Sequence, residues 1–559
     1  MKLFQQLLVA PAALGLMAPM AANAADLDIK GVSDYSASSE QVTSISQFQD
    51  VYPTDWAYQA LSNLIERYGC VAGYPSGSYL GNRAMTRFEA AALLNACLDR
   101  ITEVTDELRR LLNEFEQELA ILKGRVDGLE ARVGELEATQ FSTTTKLVGQ
   151  TSFVIGANSY GGDGKQGSLD LAHQTNAAAF IQAAGGLDED RADAAAAASG
   201  ATVFNYDMRL ELNTSFTGKD LLKTRLRAGN FAESPFGSNG YVGLSAMEVA
   251  FGESGDENEV TVDRLWYQFP LGEEFTATIG GMVRQDNMLA VWPSNYPAET
   301  IIDFFTYAGA PGAYSLTKGG GAGIWWDDND SGWSISASYV SANADDGNPN
   351  TGGVGTDGAA SNATAQIAYA DERWGIAAAY SYTSGDNGAG LYAGNATPSA
   401  AFVATTGISN SFGVSAWWSP EENGWVPSIS TGWGINSVTP NDAFDDIIDS
   451  AISQSWYLGL QWEDAFFEGN VLGAAVGQPT FLSDIEYDAN LHDSDFVADG
   501  NYAFEFWYKF QVTDNISVTP AIFYLSRPFG GITNGQRSGN AYGYTFTNFG
   551  GLVRTTFKF

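Results

Sequence analysis

The stretch Asn501-Tyr502-Ala503-Phe504-Glu505-Phe506-Trp507-Tyr508-Lys509-Phe510-Gln511 decides the fold. Successive side chains of a β-strand point to opposite faces. Tyr502, Phe504, Phe506, Tyr508 and Phe510 share one face, and Glu505 and Lys509 lie on the other. An apolar face must meet lipid, so the charged face turns to a lumen. Segment 203–216 repeats the pattern. Phe204, Tyr206, Met208, Leu210 and Leu212 point outward; Asn205, Asp207, Arg209, Glu211 and Asn213 point inward.

Period-two patterning holds from about residue 141 to 559. It predicts sixteen strands: 145–155, 203–216, 221–229, 260–269, 274–284, 319–327, 332–341, 363–370, 373–382, 409–419, 425–435, 454–463, 469–477, 501–511, 515–525 and 548–559. Short connections such as Thr217-Gly218-Lys219-Asp220 and Pro420-Glu421-Glu422-Asn423-Gly424 alternate with long ones such as 157–202, 231–259, 285–318 and 383–408. An even strand count with short turns on one side and long loops on the other is the pattern of a transmembrane barrel. Both ends of the barrel then fall on the short-turn, periplasmic side. The last strand, Val553-Arg554-Thr555-Thr556-Phe557-Lys558-Phe559, resembles the signal read by outer-membrane assembly machinery.

Composition agrees. The 559 residues carry a net charge of −38, with 62 Gly, 13% aromatic and 17% charged residues. So acidic a chain lacks the basic footprint of a nucleic-acid binder. Mean hydropathy is −0.13, and past the N-terminal stretch no run of about 20 apolar residues could cross a bilayer as a helix. A barrel needs no such run, because only alternate strand residues face lipid.

The N-terminal quarter reads differently. Lys2, an apolar stretch from Leu3 to Met20 and the small-residue site Ala22-Asn23-Ala24 predict a signal peptide over 1–24. A flexible linker over 25–47 follows. Residues 48–100 form a small helical unit: Asp55 caps one helix, and Thr86-x-x-Glu89 makes a capping box for a second. Cys70 and Cys97 lie within this unit, where an oxidising compartment permits a disulfide; two small buried thiols are the alternative. The unit resembles the S-layer homology domain through Phe48-Gln49-Asp50-Val51, Trp56-Ala57, Gly73-Tyr74-Pro75 and Thr86-Arg87-Phe88-Glu89, and departs from it at Ser76 and Phe88. That resemblance implies binding of peptidoglycan-linked polysaccharide, with Trp56, Tyr74 and Arg87 as ligand residues; core packing is the other reading of Trp56. Residues 101–140 then carry apolar positions from Ile101 and Val104 to Val133 and Leu136, spaced alternately three and four apart. This is a heptad pattern with one stutter, about 54 Å long as a helix, and it predicts a coiled coil.

An S-layer homology unit, a coiled coil and a barrel over 141–559 together resemble the major outer-membrane porins of cyanobacteria, grouped with OprB-like porins and in part described as iron-uptake porins. The resemblance implies homotrimers in outer-membrane lipid and passive passage of small solutes or inorganic ions. Inside the barrel, Lys223, Arg225 and Arg227 form a basic ladder, and Arg209, Arg264 and Arg284 take inward positions on neighbouring strands. Six of about seventeen basic residues in the barrel thus face one sector. Loop 285–318 carries Asp286, Glu299 and Asp303 and is expected to fold inward opposite that wall, setting a transverse field. Pairing with Asp207, Glu211 and Asp263 is the structural alternative. No cofactor, metal or enzymatic site is expected: His173 and His492 are isolated, no Cys/His cluster or phosphate loop is present, and Asp327-Asp328-Asn329-Asp330-Ser331-Gly332 reads as a turn rather than a calcium loop. Two functions stand: a diffusion porin, or chiefly a tether between outer membrane and cell wall whose barrel is plugged or sugar-selective.

Overall fold

Strand pairing has no free end. In the computed structural model each strand hydrogen-bonds antiparallel to its sequence neighbours, and the first pairs with the last to close a sixteen-stranded barrel. The residues described are 144–164, 190–252, 257–297, 301–328, 331–487, 499–533 and 545–559. The signal peptide, linker, S-layer homology unit and coiled coil expected from the sequence, with Trp56, Tyr74, Arg87, Cys70 and Cys97, lie outside them, as does Glu299.

In chain order the strands are β1 Thr145–Gly161, β2 Val203–Thr214, β3 Leu221–Gly229, β4 Thr261–Leu271, β5 Phe275–Arg284, β6 Lys318–Asp328, β7 Trp333–Ser341 and β8 Ser361–Ala370. They continue as β9 Trp374–Ser384, β10 Gly407–Trp418, β11 Ser428–Pro440, β12 Ile448–Glu463, β13 Val471–Tyr487, β14 Tyr502–Thr513, β15 Ile516–Ser526 and β16 Thr547–Lys558. Parity assigns the faces as expected. On β14, Phe504 and Phe506 are more than 40% exposed on the outside, whereas Glu505 is 3% and Trp507 4% exposed on the inside. At the short-turn end Trp333, Tyr369 and Trp374 pack edge-on and tilted along the outer face, with centroids 5.3 and 4.9 Å apart, an interfacial girdle of the kind transmembrane barrels carry.

Short turns are built locally. Asp220 closes the β2–β3 turn by accepting from the Thr217 and Phe216 amides at 2.7 and 3.0 Å and from the Tyr267 hydroxyl at 2.8 Å. Burial alone would raise its carboxyl; these donors outweigh that and hold it well below the usual range.

β12 and β13 run well past the spans read from sequence, beginning at Ile448 rather than 454 and ending at Tyr487 rather than 477. Pro479 donates no ladder hydrogen bond and looks like a strand end, but register shifts around Gln454/Trp456 absorb it and pairing continues. The extension is stabilised by a helix in the β9–β10 loop, α2 Pro398–Val403; the other described α-helix, α1 Arg191–Ser199, lies in the β1–β2 loop. Ala400 and Val403 of α2 pack with Ile448, Ala451 and Leu482.

Buried Asp499 ties three loops at this mouth. It accepts from the Thr397 hydroxyl, which also caps α2, from the Leu482 amide at 3.0 Å and from the Gly531 amide at 2.8 Å. Burial pushes its carboxyl up to about 6, against these donors and Arg527. A carboxyl raised above its unfolded value makes the tie most stable below about pH 4 and weaker as pH climbs through 6, by at most about 3 kcal/mol. Amide exchange of residues 395–400 and 530–533, corrected for intrinsic rates, should therefore be faster at pH 7.5 than at pH 5. Asp499→Asn should flatten the difference; an equal pH response in wild type and variant would contradict this role.

Candidate functional site

Two long loops turn into the lumen and occupy one side of it. The β3–β4 loop brings Phe231, Phe236, Val242, Leu244 and Met247 into an apolar cluster against Val154, Phe523 and Leu525 of the inner wall. The β5–β6 loop adds Tyr296, Ile301, Ile302, Phe304 and Phe305 to the same cluster. The loops bond to each other through a Met247–Ile302 bridge and an Asp303 N–H to Ala246 carbonyl bond of 2.9 Å.

Buried loop backbone needs partners, and inner-wall side chains supply them. Ser336 accepts from the Ala290 amide, and Gln366 donates to the Val291 carbonyl at 2.8 Å. Ser430 accepts from the amides of Asn295 and Tyr296. Ser415 and Ser455 donate to the carbonyls of Ala308 and Gly309 at 2.8 and 2.9 Å. Gly432 lets the loop approach: a Cβ there would stand 1.9 Å from the Ala308 carbonyl oxygen. The deepest fastening is Glu505, which accepts from the Tyr296 hydroxyl and the Ile302 amide, both at 2.8 Å. Trp507 donates to the same Tyr296 oxygen at 2.9 Å.

The opposite wall, β2 to β6, remains charged. Register places Arg209 directly across from Arg227, and Arg225 across from Arg264. Such like-charge pairs repel unless carboxylates intervene. Asp207 takes both Arg209, at 2.7 Å, and Arg227, at 2.6 Å. Glu211 takes Lys223, at 2.8 Å, and Arg225. Asp263, 2% exposed, takes Arg264 and Lys318 at 2.9 Å and Arg225 at 3.5 Å. Glu248, from the β3–β4 loop, reaches Arg209 at 3.2 Å. Arg227 also lies over the Phe251 ring, 4.5 Å from its centroid.

Asp286 sits in the 3-10 turn that follows β5 and binds Arg284 with two hydrogen bonds of 2.7 and 2.5 Å. Burial raises its carboxyl, but the adjacent Arg284 guanidinium and Arg264 hold it below the usual range. Asp303 begins the 3-10 turn Asp303–Tyr307. Between loops and wall lies a cavity of about 380 Å³. Arg227, Arg264, Arg284 and Lys318 line it together with Glu248, Asp263, Asp286 and Asp303. Trp292, Tyr307 and Tyr392 add aromatic faces, and the Tyr307 hydroxyl donates to Tyr392 at 2.7 Å.

The structure thus gathers Arg209, Lys223, Arg225, Arg227, Arg264, Arg284, Asp286 and Asp303 in one sector, in contact with partners on neighbouring strands or loops. Most compensation comes from Asp207, Glu211 and Asp263 on the strands themselves. Sequence reasoning missed Lys318, which stands one residue before the span 319–327, and Glu248, Tyr392 and Trp292, which lie in loops without periodicity. Inward parity marked Glu505, but nothing local marked it as a fastening.

The sequence matches the family described as "Carbohydrate-selective porin, OprB family" over residues 103–559 and the S-layer homology domain over 47–91. It is 35% identical to an uncharacterized protein of Nostoc sp., over 93% of this chain and 86% of that relative. It is 30% identical to an uncharacterized protein of Synechocystis sp., over 95% of this chain and 93% of that one. Pseudomonas putida OprB superposes with a TM-score of 0.43 at 9% identity, covering 76% of this chain and 96% of that one.

Replacing Glu505 by Ala would strand two buried donors, each costing about 1–3 kcal/mol. The barrel should still form, because its ladder is untouched. The inner loop should loosen, read as faster proteolysis near residues 290–310 and raised open-channel current noise. Unchanged noise and proteolysis would mean that the wall hydroxyls hold the loop without Glu505.

Proposed function

The chain belongs to the OprB family of carbohydrate-selective porins, an outer-membrane porin with an S-layer homology domain at its N-terminus, and on that premise we propose that it passes small hydrophilic solutes passively, inorganic ions first among them, with weak charge selectivity. One observation carries this reading: four cations and four carboxylates line the same cavity beside the inner loop. A naked basic wall would favour anions, but near-balance of charge favours neither sign strongly. The chain as a whole carries a net charge of −38, and its acidic loops gather cations at the mouths and offset the wall further. Aromatic side chains in the cavity, Trp292, Tyr307 and Tyr392 among them, support a second reading in which sugar rings pass along them. The two readings part on whether neutral sugars or salts permeate faster.

The N-terminal assignments complete the proposal. A signal peptide over 1–24 directs export, a linker spans 25–47, and residues 48–100 bind peptidoglycan-linked polysaccharide through Trp56, Tyr74 and Arg87. Cys70 and Cys97 lie within that unit, as a disulfide or as two small buried thiols. A coiled coil spans 101–140, and the homotrimer that the family resemblance implies presents three wall-binding units together. The barrel over 141–559 is a channel and not an enzyme.

Conductance in planar bilayers tests the channel. Arg225→Ser with Arg227→Ser removes two wall charges but leaves Asp207 with Arg209 and Glu211 with Lys223. The reversal potential in a salt gradient should move towards cation preference, and the shift should shrink at high salt. No shift at low salt would remove these residues from the conducting path. For the tether, full-length protein should sediment with purified cell-wall material, and Arg87→Ala should reduce the bound fraction. Equal sedimentation of the two would count against Arg87.

A further inference from the structure

Three like-charge pairs stand directly across from each other on the basic wall, and only two of them are bridged. Asp207 lies between Arg209 and Arg227, and Asp263 between Arg225 and Arg264. The third pair is Arg284 on β5 and Lys318 on β6, register partners in the ladder. Arg284 binds Asp286 and Lys318 binds Asp263, but among the described residues no carboxylate binds both. These two side chains are also the most exposed cations of the wall, at 28% and 35%, and both face the cavity. Across the wall's ion pairs among the described residues, seven cations share five carboxylates. Partly desolvated like charges at cross-strand distance call for a counter-charge between them.

We infer that Arg284 and Lys318 form an oxyanion site, which takes the carboxylate or phosphate group of a small organic solute into the place that Asp207 and Asp263 hold for the other two pairs. Asp286 takes the Nε–Nη2 edge of the Arg284 guanidinium, so that group presents its Nη1 end and the ammonium a point charge, a combination suited to either group. The rest of the solute lies in the 380 Å³ cavity, where Trp292 and the Tyr307–Tyr392 pair provide faces for a hydroxylated body. Overall ion selectivity stays weak, because the site holds one group transiently and the surrounding charges balance. This site rests on the channel reading.

The test is current block in planar bilayers holding the full-length protein in potassium chloride, with gluconate, inorganic phosphate and glucose as probes. Gluconate should block the current with a saturable dependence, and glucose at equal concentration should not. Phosphate blocking as well as gluconate assigns the site to the oxyanion alone; gluconate blocking better assigns part of the affinity to the aromatic faces. Lys318→Gln should raise the half-blocking gluconate concentration about tenfold, the loss expected for one charge-assisted hydrogen bond. Asp263 keeps Arg264 and Arg225 in that variant, so the wall stays paired. Lys318→Arg, which keeps the charge, should retain block. Equal block by glucose and gluconate, or an unchanged half-blocking concentration in Lys318→Gln, overturns the site. Block that appears only after Glu299→Gln overturns it too, since a carboxylate of the chain would then fill the place. Absence of any conductance in the wild type brings down the channel reading itself.

Discussion

Hydrocarbon offers no partner to a peptide N–H or carbonyl, and this constraint orders everything else in the barrel. Every strand must be paired on both edges, so the sheet closes. The outer face must be apolar, which is why aromatic and aliphatic side chains alternate along β2 and β14. All polar chemistry is thereby forced inward, where every second residue of each strand points. The basic wall and the hydroxyl-rich wall are two uses of that same inward set.

The division of the lumen follows from which side chains the inner loops meet. Loops bring unsatisfied backbone with them, so a wall that receives them needs small hydroxyl and amide side chains more than apolar ones. Ser336, Ser415, Ser430, Ser455 and Gln366 serve in this way, and Glu505 anchors the far end. An apolar cluster then fills the space beneath the loops around β12 to β16 and β1. β2 to β6 receive a smaller apolar contact, Met288 of the β5–β6 loop against Trp266 and Val283, and stay charged elsewhere. The cavity lies between a packed side and an ionic side, and its lining is set by strand register as much as by the loops.

The strands were legible because period two, turn residues and lipid act over short spans. All sixteen predicted segments correspond to strands, and the 221–229 segment matches β3 end to end. The long strands β12 and β13 were not legible, because their upper halves are stabilised by α2, which lies more than forty residues away from them along the chain. The ionic wall was half legible. Parity placed its cations inward, yet which carboxylate serves which cation depends on diagonal register between strands, and that is fixed only by the closed sheet. Lys318 escaped because it stands at a strand's first position, where parity has nothing to count from. Tyr392 escaped because its place beside Tyr307 is created by the fold of two loops. The inward turn of the 285–318 segment rests on Glu505, more than 200 residues further along the chain.

The bond between β1 and β16 also carries a cost in time. Ser152 and Thr556 meet across 404 residues of sequence, and their strands hold the seam together. Contacts so distant form late, after loop-closure entropy has been overcome by many nearer pairings. Until then both edges of the growing sheet present bare N–H and carbonyl groups and a broad aromatic face, the features that drive aggregation in water. A chain of this design therefore cannot wait as a finished barrel in an aqueous compartment before insertion. Its closing step belongs with its passage into lipid, and whatever escorts it there must shield two open edges as well as an apolar surface.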